Sequence, residues 1–173
     1  MIRFASLTAV AAAALISACA STAPAGPKAV ATLEPTRGNT AAGSVTFQQQ
    51  GDKVLVSANV SGLKPNQEHG MHAHEKGDCS SGDGMSTAGH FNPTAKPHGK
   101  QDAEHHAGDM PALKADANGN AQTSFTLSGV SVGSGTADLV GRGLIVHAGP
   151  DDYTTQPTGN SGARIACGVI KLS

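Results

Sequence analysis

An all-β fold is predicted by three features of the sequence: many glycines, few aromatic residues, and short alternating segments separated by turn signals. Of 173 residues, 22 are glycine, 3% are aromatic and none is tryptophan. A glycine inside a helix costs about 1 kcal/mol relative to alanine, whereas a turn-rich β protein uses its freedom at φ > 0. The length suits one domain with a real core once any leader is removed.

The strands are read in order as 28–34, 42–49, 53–60, 69–75, 112–116, 121–128, 143–148 and 165–171, eight in all, with no convincing helix. The third has the clearest period of two: Val54, Val56, Ala58 and Val60 alternate with Lys53, Leu55, Ser57 and Asn59. Gly51-Asp52 is read as a hairpin turn, and Asn118-Gly119 supplies the φ > 0 residues of another. Asp116 to Asn120 superficially resembles a calcium loop, but neither the sixth-position glycine nor the twelfth-position glutamate is present. Two segments, 76–111 and 149–164, are too long for ordinary connections and are expected to be functional loops.

Residues 1–18 carry one positive charge, Arg3, then the apolar run Phe4–Ile16, too short and thinly flanked for a spanning helix. They read as a signal peptide. Ile16-Ser17-Ala18-Cys19 resembles a bacterial lipobox, which makes Cys19 the expected lipidation site and residues 19–27 a lipidated cysteine with a flexible tether; ordinary cleavage after Ala18 or Ala20 is the alternative. The folded domain is expected at 28–173. If Cys19 is the anchor, Cys79 and Cys167 remain as an even pair, for which a structural disulfide is the default in an oxidising compartment. The formal charge is −1, from 12 basic and 13 acidic residues, and loss of Arg3 leaves 11 against 13, or −2. No footprint for nucleic acid is present.

All eight histidines fall between His69 and His147. His72 and His74 are two apart on a predicted strand and therefore face the same way, about 6 to 7 Å apart. His90, His98, His106 and Asp109 put three imidazoles and a carboxylate within twenty residues of loop, an N/O set that suits Zn²⁺. His147 ends the apolar run Leu144-Ile145-Val146, where a strand leaves the core. Singly, each is most simply a surface or core histidine; jointly, that explanation fails.

In their order, His72-x-His74, Gly89-His90-Phe91-Asn92-Pro93, His98-Gly99, His106-x-Gly108-Asp109, the run Gly141 to His147, and Gly162-Ala163-Arg164-Ile165-Ala166-Cys167-Gly168 resemble copper/zinc superoxide dismutases over about residues 30–171. The resemblance implies an eight-stranded Greek-key β-barrel or sandwich, immunoglobulin-like in architecture, with the site outside the barrel beneath the two loops. It implies one copper held by His72, His74, His90 and His147, and one zinc held by His90, His98, His106 and Asp109, with the His90 imidazolate shared. Asp151 corresponds to the carboxylate that orients a copper and a zinc histidine. Cys79 and Cys167 match the family's disulfide, Arg164 its anion-orienting cation, and Thr158 the rim residue beside it. His105 could in principle replace His106, but only His106 keeps the His-x-Gly-Asp register; His69 corresponds to a packing histidine.

The resemblance thus implies an exported enzyme that dismutates superoxide to dioxygen and peroxide, with His90 carrying a proton between half-reactions. Its expected place is the periplasm, at the membrane only through lipidated Cys19, as a monomer or homodimer. The competing reading is an exported copper- or zinc-sequestering protein without turnover, which should lack a copper ligand, the shared histidine or the arginine. A structural envelope lipoprotein would leave the ordered ligands unexplained.

Overall fold

The computed structural model describes residues 26–173. The predicted signal peptide, Cys19 and most of the tether lie outside the described residues. Among the described residues nine strands form: β1 (Lys28–Pro35), β2 (Ala42–Gln50), β3 (Lys53–Ser61), β4 (Glu68–His69), β5 (Met71–His74), β6 (Leu113–Lys114), β7 (Ala121–Ser128), β8 (Gly143–His147) and β9 (Arg164–Leu172). The described helical structure is a single 3-10 turn, Met85–Thr87. Among the described residues, no helix is long and apolar enough to cross a membrane.

Seven strands make one curled antiparallel sheet in the order β5-β8-β9-β1-β2-β3-β7, and β4 and β6 pair separately. The period of two read along β3 is its burial pattern: Val54, Val56 and Val60 are inaccessible and Ala58 nearly so. Phe47 from β2, Leu33 from β1 and Ile170 from β9 meet them in the same core. Gln50 opposite Lys53 leaves Gly51 and Asp52 as a two-residue turn, with Gly51 at φ 60°.

Three expectations need correction. The strand read at 69–75 is two strands, because the chain changes partner at Gly70: β4 pairs with β6, β5 with β8. Gly70 itself accepts from His147 N–H and donates to the Gly149 carbonyl. The turn at Asn118-Gly119 forms with Gly119 alone at positive φ (76°), Asn118 not sharing it, and because β6 pairs with β4 and β7 with β3 it links two ladders and does not close a hairpin within one. The expected strand at 112–116 accordingly shortens to Leu113–Lys114.

Cys79 is bonded to Cys167 across 88 residues, joining the first long loop to β9 three residues beyond Arg164. Closing a loop of that length removes denatured-state entropy worth roughly 4 to 5 kcal/mol in the chain-entropy model. A Cys79→Ser/Cys167→Ser double variant is expected to lose about that stability in urea unfolding, while the far-ultraviolet spectrum of the folded state keeps its β signature.

Candidate metal centre

The site is assembled on the outside of the barrel from β5, the end of β8 and the two long loops. His72 and His74 lie on β5, and short bridges couple this strand to the first loop, His72 opposite Asp109 and His74 opposite His90. The loop is held to the strand by Ala73 N–H on the Gly108 carbonyl (2.8 Å) and Phe91 N–H on the Ala73 carbonyl (2.9 Å). A side chain on Gly108 would collide with the Ala73 carbonyl, so the close approach requires glycine there. The Arg142 guanidinium caps the Phe91 ring at 4.0 Å from its centroid.

The first constellation consists of His72, His74, His90 and His147, all buried. In each ring one nitrogen is engaged by the protein. His72 Nε2 donates to Asp151 Oδ2 (2.7 Å), His74 Nδ1 to the Ala88 carbonyl (2.9 Å) and His147 Nδ1 to the Gly162 carbonyl (3.1 Å). His90 Nδ1 lies 2.9 Å from Asp109 Oδ1. The opposite nitrogens, His72 Nδ1, His74 Nε2, His90 Nε2 and His147 Nε2, are buried without a hydrogen-bond partner. Four orphaned imidazole nitrogens in one place fit a transition-metal ion, copper among them.

The second constellation consists of His90, His98, His106 and Asp109. Asp109 Oδ1 lies 2.9, 3.0 and 3.3 Å from Nδ1 of His90, His98 and His106, and the His90 and His106 Nδ1 atoms are 3.4 Å apart. Zn²⁺ with bonds of about 2.0 to 2.1 Å needs tetrahedral ligand separations of about 3.3 Å, which these approach. His98 Nε2 donates to Asp151 Oδ1 (2.8 Å), so its Nδ1 faces Asp109 Oδ1 at 3.0 Å and calls for a positive charge between them, a proton in the ion-free protein or Zn²⁺ when the site is filled. His90 belongs to both groups through different nitrogens. His72, His98 and Asp151 also lie close enough to hold an ion, but they already hydrogen-bond one another.

Asp151 thus ties one histidine of each group. Gly99 N–H and His106 N–H donate to Asp109 Oδ2 at 3.1 and 2.9 Å, leaving Oδ1 for the ion. His105 points elsewhere, its Nδ1 on the His106 carbonyl (2.6 Å). His69 is buried with Nδ1 on the His147 carbonyl (2.8 Å), supporting that strand end from behind. Arg164 is half-buried at the start of β9, and its charge contributes to lowering the pKa of His74 and His147. Thr158 is half-buried on the second loop and makes no described side-chain hydrogen bond.

A match to the family model described as copper/zinc superoxide dismutase (SODC) spans residues 41–170. The chain belongs to the copper/zinc superoxide dismutase family. It is 43% identical over 123 residues to "Superoxide dismutase [Cu-Zn] 2" of Aquifex aeolicus, covering 68% of this chain and 72% of that protein. It is 42% identical over 135 residues to "Superoxide dismutase [Cu-Zn]" of Paramecium bursaria Chlorella virus 1, covering 74% and 71%. Among solved structures, the clock protein EA4 superposes with a TM-score of 0.78 at 38% identity, over 85% of this chain and 96% of that one. A double mutant of a SOD-like protein from Bacillus subtilis gives 0.72 at 34% identity, over 82% and 96%.

For a superoxide dismutase fold, several supporting residues carry no signal in the sequence. Gln156 clamps the His98 backbone with both ends of its amide, accepting from His98 N–H (2.8 Å) and donating to its carbonyl (2.9 Å). Gly159, at φ 66°, packs so tightly on the Asp151–His98 contact that any Cβ would overlap it. The Tyr153 ring lies parallel to His98, 6.3 Å between centroids. Each of these works through a contact more than fifty residues away or through an absent side chain.

Burial pushes His72 down to about 4, its bond to Asp151 offsetting part of the effect. Burial likewise takes His147 to about 3 and His74 lower still. For His98 burial is outweighed by hydrogen bonds to Asp109 and Asp151, which raise it to about 9. Burial would raise both carboxyls, yet the imidazoles bonded to them hold Asp109 and Asp151 well below the usual range. In the ion-free protein, an unfolded chain protonates His72, His74 and His147 near pH 6.5 while the folded one resists until about pH 4 or below, so stability falls as pH drops beneath about 6.5. His98 acts oppositely: its contribution is complete below about 6.5 and fades as pH rises towards 9. Urea midpoints of chelator-treated protein are therefore expected to peak near pH 6.5 and fall on both sides; a flat profile from pH 4 to 9 would contradict these environments.

Proposed function

We propose that the chain dismutates superoxide to dioxygen and hydrogen peroxide with one copper held by His72, His74, His90 and His147 and one zinc held by His90, His98, His106 and Asp109. Four orphaned nitrogens beside a tetrahedral N₃O set, with one histidine common to both, carry this reading. When bound, copper supplies the one-electron chemistry by cycling between Cu²⁺ and Cu⁺. The protein supplies binding, orientation and protons. The Asp151 carboxylate and the Ala88 and Gly162 carbonyls fix the tautomers of His72, His74 and His147, so each presents its lone pair to the ion. His90 Nδ1 sits in the group with Asp109, so Nε2 would be the ring atom that holds a proton when it is not ligating copper and passes it to the departing peroxide. Arg164 attracts and orients the anionic substrate, as a cation that stays charged throughout. Thr158 narrows the rim beside it.

The bounds proposed are a signal peptide at 1–18, lipidated Cys19 and tether to residue 27, and the enzyme at 28–173, placing activity in the periplasm against the envelope membrane. Export is supported by the Arg3-led apolar run and by the disulfide, which suits an oxidising compartment. Mass spectrometry of the native N-terminus is expected to find a diacylglyceryl group on residue 19 as the first residue; an unmodified N-terminus elsewhere would refute the anchor while leaving the enzyme reading intact.

Copper- and zinc-loaded protein should consume superoxide, His147→Ala should lose at least about a hundredfold in turnover, and Arg164→Ala should lose about tenfold in kcat/KM with metal content kept. Full metal loading without turnover in the wild type would favour a sequestering protein.

A further inference from the structure

The segment Gly84–Ala88, which contains the 3-10 turn, fastens the arginine. Arg164 Nη1 donates to the Gly84 carbonyl (2.7 Å) and to Thr87 Oγ1 (2.9 Å), and Nη2 donates to the Ala88 carbonyl (2.8 Å). The same Ala88 carbonyl accepts from His74 Nδ1, so one backbone oxygen registers the guanidinium against a copper ligand. Ala88 holds that position at φ 64°, ψ −145°, a conformation rarely adopted by residues with a Cβ.

Thr87 is completely buried. Its hydroxyl hydrogen is committed to the Gly84 carbonyl (2.8 Å), which leaves the oxygen lone pairs for Arg164. Its methyl acts separately, filling the space above Gly143, where an added Cβ would come within 2.7 Å of Thr87 Cγ2. A guanidinium has five N–H donors, and three are fixed by Gly84, Thr87 and Ala88, leaving Nε–H and one on Nη2 for an anion. Without the hydroxyl, one Nη1–H loses its acceptor and the guanidinium is held at two points instead of three.

We propose that the Thr87 hydroxyl is a positioning group that sets the orientation of the Arg164 guanidinium towards the anionic substrate. This rests on the reading of Arg164 as the group that orients superoxide. The hydroxyl acts through Arg164 alone, whereas the methyl acts through packing, and the two are separable by substitution. Thr87→Val keeps the volume and removes the hydroxyl; Thr87→Ser keeps the hydroxyl and removes the methyl.

The test uses full-length, copper- and zinc-loaded protein and two readouts: kcat/KM for superoxide, and azide affinity from spectroscopic titration of the copper. Thr87→Val is expected to weaken both by about fivefold, within the range of one ordinary hydrogen bond and less than the loss expected for Arg164→Ala. Thr87→Ser is expected to recover most of both, and in an Arg164→Ala background Thr87→Val should change neither further. If Thr87→Ser is as impaired as Thr87→Val or worse, or if Thr87→Val keeps its full effect without the arginine, the hydroxyl is not positioning Arg164. If Arg164→Ala alone leaves both readouts at wild-type values, the reading of Arg164 fails and this proposal with it.

Discussion

Everything in the site depends on a division within the imidazoles of His72, His74 and His147: one ring nitrogen is bonded to the protein and the other is buried without a hydrogen-bond partner. A buried lone pair without a donor is unfavourable by itself, so the fold tolerates this arrangement only where a cation compensates it. The bonded nitrogens decide which lone pair is offered. His72 offers Nδ1 because Asp151 holds Nε2, while His74 and His147 offer Nε2 because backbone carbonyls hold Nδ1. His90 is the exception that makes two sites into one, since its Nδ1 belongs to the group around Asp109 while its Nε2 stays bare.

The same sharing of partners joins chemistry to stability. Asp151 holds a histidine from each constellation, so the second loop cannot shift without disturbing both. The disulfide fixes the first loop to β9, and within that frame the carbonyls of Gly84 and Ala88 hold the arginine that begins the strand. Thr36 secures the same residue from the barrel side, its hydroxyl donating to the Arg164 carbonyl at 2.7 Å. The two histidine constellations, Arg164 and the disulfide are therefore parts of one mechanical unit built on two loops that have almost no regular structure of their own.

Much of this was legible in the residues. The alternation of Val54, Val56, Ala58 and Val60 specified a half-buried strand, because burial on one face imposes a period of two. His72 and His74 could be placed on one face for the same reason. The family pattern supplied the grouping of the distant ligands, which local periodicity could not. What escaped were features decided by long-range partners: the change of strand partner at Gly70, the clamp of Gln156 on His98, and the hub at Ala88, whose contribution is a carbonyl every residue possesses. Gly159 was invisible for the opposite reason, since its role is to have no side chain at all.

In the proposed centre a single imidazole, that of His90, would join the two ions. Loading copper into the first constellation and a paramagnetic Co²⁺ into the second tests this directly by electron paramagnetic resonance. A shared imidazolate couples the two spins, so the ordinary copper signal should vanish on cobalt loading and return when cobalt is replaced by Zn²⁺. A copper spectrum indifferent to cobalt, with both metals present at one per chain, would contradict the bridge and show that His90 does not connect them.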